Sequence, residues 1–322
     1  MDLRAEISSE WKAFEDLQLS TLASGISLLD KINDYLLSHS GKKLRPLLAL
    51  ASAKACSGSV NEKVLVCATA SEMIHTATLL HDDVVDESEL RRGSLTVRSL
   101  FSPGTSLLMG DYWLSKAVNL MVEKRCEHSI LECFSLTLAD LASGEILQME
   151  HASKLDTGFD DYYEIIRCKT ASLFVAAVKS AAIAAGASSE QLEALSAFAL
   201  ELGLCFQMRD DLLDYSTSEE TGKDVDCDIS ERKITLPLLC ALESCCAEER
   251  SRVLALMNTI EPGADNRKAV EAVKAFVLEK KGVEKASEIL SARIERCVAH
   301  LAPIQDSPSK KILEAVAQKL RF

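Results

Sequence analysis

Apolar residues recur at spacings of three and four along almost the whole chain, the pattern of helices with one buried face. Breakers at Gly41–Pro46, Gly58, Pro103–Gly104, Gly158, Gly186, Gly222, Pro262–Gly263, Gly282 and Pro303–Pro308 cut this pattern into helix-sized stretches. No run of alternating β-branched residues bounded by turns interrupts it, and no low-complexity linker divides it. The pattern therefore predicts an all-α protein. Residues 1–322 are read as a single all-α domain, a bundle of about ten or more helices.

Three of the helical stripes turn polar where a buried stripe should continue. His75, Thr78 and Asp82 follow one another at three and four, as do Gly203, Gln207, Asp210 and Asp214 at four, three and four. Phe134, Leu138, Leu141, Glu145 and Gln148 form the third stripe. Two of the three end in the same word: "HDDVVD" at His81–Asp86 and "RDDLLD" at Arg209–Asp214. In a helix, positions i and i+4 share a face about 5.4 Å apart. Asp82 points with Asp86, and Asp210 with Asp214, while Asp83 and Asp211 stand about 100° around. Clustered carboxylates repel one another, and a solvated helix face interleaves Lys with Glu instead. A hard divalent cation relieves that repulsion, which makes Mg²⁺ shared with phosphate oxygens the chemistry to expect.

Composition narrows the partners. Hydrophobic residues make up 48% of the chain, and 13 Gly with 6 Pro leave little punctuation for a β-rich fold. A net charge of −13 excludes the basic surface that nonspecific nucleic-acid binding needs. Eleven Cys without CxxC spacing fit reduced thiols in a cytoplasmic protein, with neither a disulfide framework nor a zinc site. The N-terminus lacks the basic and apolar regions of a signal peptide, and no apolar run reaches the roughly 18 residues of a membrane span.

Basic residues flank the acidic words: Lys42, Lys43 and Arg45 in "GKKLRP", Arg91 and Arg92, Lys169 in "RCKTASLF", Lys223 and Lys233. A site for two polyanionic groups needs this mixture, with metals for one and guanidinium or ammonium groups for the other.

In order, "GKKLRP", "EMIHTATLLHDDVVDESELRRG", "MGDYWLSKA", "GEILQ", "KTASLF", "FQMRDDLLDY", "GKDVDCD" and "KITLP" resemble the motifs of trans-isoprenyl diphosphate synthases, the polyprenyl synthetases. The resemblance spans roughly Gly41 to Pro237. It implies a helical bundle around a central substrate cavity, of the isoprenoid synthase type, and a Mg²⁺-dependent prenyltransferase that condenses isopentenyl diphosphate head-to-tail with an allylic diphosphate. Asp82, Asp83, Asp86, Asp210, Asp211 and Asp214 would be the metal ligands, with three Mg²⁺ per loaded site. Arg91, Lys169, Thr170, Gln207, Lys223 and Lys233 would hold the allylic diphosphate and its surroundings, and Lys42, Arg45, His75 and Arg92 the isopentenyl diphosphate. A homodimer is the family expectation. Short-chain members carry a bulky aromatic just before the first acidic word. Ala77 and Thr78 stand there, favouring a long-chain product of eight units, an octaprenyl diphosphate for quinone side chains that passes to a membrane.

The chain departs from the pattern after Lys223, where Asp224-Val225-Asp226-Cys227-Asp228 replaces Pro-x-Gly-Asn-Asp, and at Arg232, where Gly is usual. Ser94-Leu95 stands where Lys-Pro is common, and Arg98 where Asn is frequent. The competing readings are a short-chain farnesyl or geranylgeranyl synthase and a class I terpene cyclase, whose second metal motif mixes Asn, Ser and Glu. An HD-type phosphohydrolase needs more spaced His than the six present. A regulatory subunit of a heteromeric synthase commonly lacks one acidic motif, and this chain has both.

Overall fold

The computed structural model describes residues 4–216, 227–261 and 264–322. Regular structure among them is almost entirely helical, and the chain forms two compact units. None of the described helices is long and apolar enough to cross a membrane.

The first unit comprises residues 4–136, 173–196 and 301–315. Its helices are α1 (Ser8–Leu22), α2 (Ser27–Ser38), α3 (Leu44–Ser57), α4 (Glu62–Val85), the short α5 (Val97–Leu100) and α6 (Pro103–Glu123). It also takes in the start of α7 (His128–Lys154), most of α9 (Ser172–Ala184) and the start of α10 (Ser189–Leu213). α4 is the core of this unit and packs against α1, α3 and α6. Its sequence explains that position. Asn61 caps the first turn by accepting from the Val64 N–H at 3.0 Å, and no Gly or Pro interrupts the helix. Small residues (Ala68, Ala70, Ser71, Ala77) alternate with Val64, Val66, Met73 and Ile74, so nearly its whole circumference is buried. Full burial of side chains such as Met73 and Ile74 stabilises by roughly 1.5–3 kcal/mol each.

α6 begins with Ser102 as a cap and Pro103 at the first helical position. It approaches α4 closely at Gly110, where an added Cβ would run into the His81 ring. The Ser106 hydroxyl donates to the Leu80 carbonyl at 2.8 Å across the same contact. Between these helices, β1 (Leu90–Arg91) and β2 (Ser94–Leu95) pair antiparallel through a turn with Arg92 and Gly93 at φ of 54° and 76°. This small hairpin is the one feature that a purely helical reading omits.

The second unit comprises the described residues among 137–172, 197–300 and 316–322. It holds most of α7, α8 (Phe159–Ile166), the later part of α10, and α11 (Cys227–Ser230). α12 (Leu236–Glu243), α13 (Ala247–Asn258), α14 (Arg267–Glu279) and α15 (Gly282–Ala299) complete it. α16 (Pro308–Gln318) begins in the first unit and ends in the second. α12 packs on α15, which has Gly282 because a Cβ there would meet the Pro237 carbonyl and the Val277 side chain. α8 runs directly into a π-helical turn, Arg167–Ala171. Wide turns of this kind are uncommon and concentrate where a helix must present a side chain out of register.

Candidate active site

In the first unit, α4 ends inside the first acidic word. The Asp86 N–H closes the last turn on the Asp82 carbonyl at 2.8 Å, so the two residues are stacked one turn apart as the spacing predicts. Asp86 is exposed and Asp82 half-buried, whereas Asp83 is buried. Arg91, brought back by the β1–β2 hairpin, donates from Nε to Asp83 Oδ1 at 2.7 Å. Burial raises the Asp83 carboxyl and Arg91 opposes that rise. The middle aspartate of the word thus has a protein partner of its own.

A cavity of about 80 Å³ opens beside this turn. His75, Glu72 and Asp83 of α4 line it, together with Lys43, Arg91 and Arg92. Gly41 has no side chain because the Arg92 guanidinium occupies the space a Cβ would need. Lys43 adopts φ 50° and reaches Gln18 Oε1 at 3.3 Å. Arg45 is buried and stacks over the Phe174 ring at 4.4 Å. Desolvation lowers its pKa to about 10, which still leaves it charged. His75 is pushed well below its ordinary value, first by burial and then by Arg45, Arg92 and Arg91, so it stands as a neutral imidazole. Of the basic pair in "GKKLRP", Lys42 is exposed and Lys43 lines the cavity. Ala77 is buried and Thr78 half-buried, the latter donating to the His75 carbonyl at 2.8 Å.

In the second unit, α10 carries the other acidic word. The Asp214 N–H meets the Asp210 carbonyl at 3.2 Å, repeating the one-turn stack. Asp211 is buried and accepts from the Tyr162 hydroxyl at 2.6 Å and from Gln207 Nε2 at 2.9 Å. Thr170 Oγ1 donates to Gln207 Oε1 at 2.7 Å, which fixes the orientation of that amide. Burial pushes Asp211 up to about 6 despite these donors. Asp228, whose N–H donates to Asp214 Oδ2 at 3.1 Å, is pushed well above its usual range by burial and by the charges of Asp211 and Asp214.

A cavity of about 120 Å³ is lined here by Gln148, Lys169, Thr170, Gln207, Asp211 and Lys233, among others. Lys169 projects from the π turn and pairs with Glu145 of α7, while Gln148 lies beside Glu145 at 3.4 Å. The polar end of the third stripe therefore faces this cavity. Gly144 makes the approach possible, since a Cβ there would sit 2.6 Å from the Cys168 Cβ and 3.1 Å from the Lys169 nitrogen. Arg167 secures the turn through Asp140 at 3.0 Å and Glu164 at 2.8 Å. Lys233 pairs with Glu231. Arg232 holds φ 62°, the conformation that makes Gly usual at this place. Its guanidinium reaches the Ser153 carbonyl at 3.3 Å and Asn258 Oδ1 at 3.1 Å, contacts that Gly would lack. Lys223, Asp224 and Asp226 lie outside the described residues.

These donors suit a divalent metal of the Mg²⁺ kind. All are carboxylate oxygens, and burial together with the charges of Asp211 and Asp214 raises Asp228 beside them. Among the described residues, no three His, Cys, Asp or Glu side chains form a cage by themselves. Mg²⁺ commonly takes one or two carboxylates and completes its shell with water and substrate phosphate.

The model of the family described as "Polyprenyl synthetase" matches residues 26–276. The chain belongs to the polyprenyl synthetase family. It is 35% identical over 300 residues to the octaprenyl diphosphate synthase of Haemophilus influenzae, covering 93% of this chain and 89% of that protein. A crystal structure of a decaprenyl diphosphate synthase from Rhodobacter capsulatus is 33% identical and superposes with a TM-score of 0.91, covering 99% and 97% of the two chains. A polyprenyl synthase from Caulobacter crescentus, crystallised with calcium and isoprenyl diphosphate, is 32% identical with a TM-score of 0.88 and the same coverage. As a polyprenyl synthetase, the chain is a trans-prenyl diphosphate synthase of the all-α isoprenoid synthase fold.

The sequence pattern identified the aspartates of both acidic words and most of the cations around both cavities. It missed Tyr162, Gln18 and Glu72. Tyr162 sits in "DDYYEI", which has no periodic or spacing signal, and Gln18 belongs to a helix without any motif. Glu72 is three residues before His75 on the same helix face, which is the one signal that pointed to it.

Proposed function

We propose that this chain makes a long-chain all-trans polyprenyl diphosphate, octaprenyl in length, by Mg²⁺-dependent addition of isopentenyl diphosphate to an allylic primer such as farnesyl diphosphate. The observation that carries the proposal is the repeated arrangement of a one-turn carboxylate stack beside a cavity lined with cations, in both units. Asp82 and Asp86, and Asp210 and Asp214, would hold the Mg²⁺. Asp83 and Asp211, already engaged by Arg91 and by Tyr162 and Gln207, would brace those turns. Bound Mg²⁺ supplies Lewis-acid stabilisation of the negative charge that builds on a departing diphosphate.

The chain's own groups do the rest. Lys169, Thr170 and Gln207 orient the allylic diphosphate, with Lys233 beside them and Lys223 assigned from the motif. Their donors oppose the charge developing as the carbon–oxygen bond breaks. Lys43, Arg45 and Arg92 hold isopentenyl diphosphate, and neutral His75 donates a hydrogen bond without adding charge. The C3–C4 double bond of the isopentenyl unit attacks the allylic carbon, and the proton then lost passes to the departing diphosphate. Small side chains at Ala77 and Thr78 leave room one turn below Asp82 for the growing tail. A homodimer is supported by the exposed apolar residues Leu107, Leu108, Val118 and Val122 along α6.

Incubation with farnesyl diphosphate and isopentenyl diphosphate, with and without Mg²⁺, tests the reading by mass spectrometry. A Mg²⁺-dependent ladder ending at one long product is expected. Absence of elongation with any allylic primer overturns it.

A further inference from the structure

Glu72 is a buried acid that nothing in the reaction above uses. It is 5% exposed, lines the cavity of the first unit, and its Oε2 has no hydrogen-bond partner among the described residues. Ten residues separate it from Asp82, about 15 Å along the helix axis, so it stands well away from the metal-binding turn.

Its surroundings are cationic. Arg45 and Lys43 approach from α3 and the residue before it, Arg92 from the hairpin, and Arg4 from ahead of α1. Tyr35 of α2, His39 just after that helix and Arg91 line the same cavity, with His75 and Asp83 on α4 itself. Asp83 is already taken by Arg91. Burial raises the Glu72 carboxyl, and the four cations restrain that rise.

A diphosphate drawn in by Lys43, Arg45 and Arg92 brings acceptor oxygens to a carboxylate that also only accepts. Two such groups repel unless one carries a proton. The same anion neutralises the cations that restrain the rise of Glu72. His75 faces no such conflict, because a neutral imidazole already has an N–H to donate. Resting on the function proposed above, we propose that Glu72 is a further ligand of the diphosphate in this cavity and binds it as the protonated acid. Filling the cavity then transfers a proton from solvent to Glu72, and the O–H donates to a phosphate oxygen.

Isothermal titration of the full chain with isopentenyl diphosphate, without metal and in two buffers of different ionisation heat, counts the protons exchanged on binding. Glu72→Gln is close to isosteric and presents a permanent neutral donor. The native chain should take up about half to one proton more per diphosphate than this variant near pH 7. Affinity of the native chain should weaken between about pH 6 and pH 8 more steeply than that of Glu72→Gln. Equal proton counts in the two proteins overturn the proposal, as does an excess that persists in Glu72→Gln and vanishes in His75→Gln. The pH dependence of the native chain is read without any variant, and a flat profile also overturns the proposal. Failure of isopentenyl diphosphate to bind the native chain at all would instead overturn the assignment of this cavity.

Discussion

Replacing Tyr162 with Phe removes one oxygen and leaves the ring in place. That oxygen is the donor, at 2.6 Å, to a carboxylate with no exposure to spare, and only Gln207 Nε2 then remains to Asp211 among the side-chain donors described. A hydrogen bond to a charged acceptor contributes roughly 1.5–3 kcal/mol, and the stranded oxygen stays buried. At about 2.1 cal/mol/K per residue, 322 residues give an unfolding entropy near 0.7 kcal/mol/K, so a loss of ~2 kcal/mol lowers Tm by about 3 °C.

The loss should depend on pH. Burial raises Asp211 from 3.8 to about 6 in the fold, so the protonated form is the one the fold prefers. Its favourable contribution is present below the unfolded value and is lost as pH rises through about 6. Above that pH the ionised carboxylate relies on Tyr162, and below it the reliance is weaker. Thermal unfolding followed by circular dichroism, with a chelator present, should show the larger Tm difference at about pH 7.5 and the smaller at about pH 5. A difference below about 1 °C at both, or a larger one in acid, would refute the role given to the Tyr162–Asp211 pair.

Asp82→Asn and Asp210→Asn should each lower kcat by at least about a hundredfold with an unchanged circular dichroism spectrum, and near-native turnover in either would remove that residue from the metal set. Gly144→Ala forces a methyl against Cys168 and Lys169. It should cost about 1–3 kcal/mol and raise the KM for the allylic diphosphate more than that for isopentenyl diphosphate, a split that steady-state kinetics reads. Ala77→Phe should shorten the product, and an unchanged ladder by mass spectrometry would show that the tail passes elsewhere. His75 sits below its ordinary 6.5, so the stability tied to its neutral form is complete above that value and falls away as pH drops below it. His75→Gln should flatten this part of the stability profile in urea titrations.

Much of the site was legible because its chemistry depends on residue type at helical spacing. Asp82 with Asp86 and Asp210 with Asp214 could be stacked from the numbers four and 3.6 alone. The inward turn of Glu145 and Gln148 followed from the phase of an apolar stripe. The β1–β2 hairpin was not legible, since two-residue strands are too short to show alternation, although Arg92-Gly93 does carry the positive-φ turn chemistry. The π turn at Arg167–Ala171 left no trace either, and its Arg167 is held by Asp140, 27 positions earlier, a pairing no local pattern announces. Only folding brings Arg91 to Asp83 and Tyr162 to Asp211, the middle acid of each word. Which lysine of "GKKLRP" lines the cavity was not legible either, and it is Lys43. The left-handed backbone at Lys43 directs that side chain toward Gln18.

The unbroken course of α4 restricts how this gene can drift in length. Glu72, His75, Ala77 and Asp82 are graduations on one rigid scale, each separated by a fixed advance of about 1.5 Å and a rotation of about 100° per residue. A single codon gained or lost between Glu72 and Asp82 would swing the acids away from the cavity while leaving every residue type intact. Substitution can recalibrate such a scale mark by mark, as at Ala77, but insertion cannot. Length variation in this part of the chain should therefore collect in the connection between Gly58 and the Asn61 cap, since the hairpin after Asp86 must return Arg91 to Asp83.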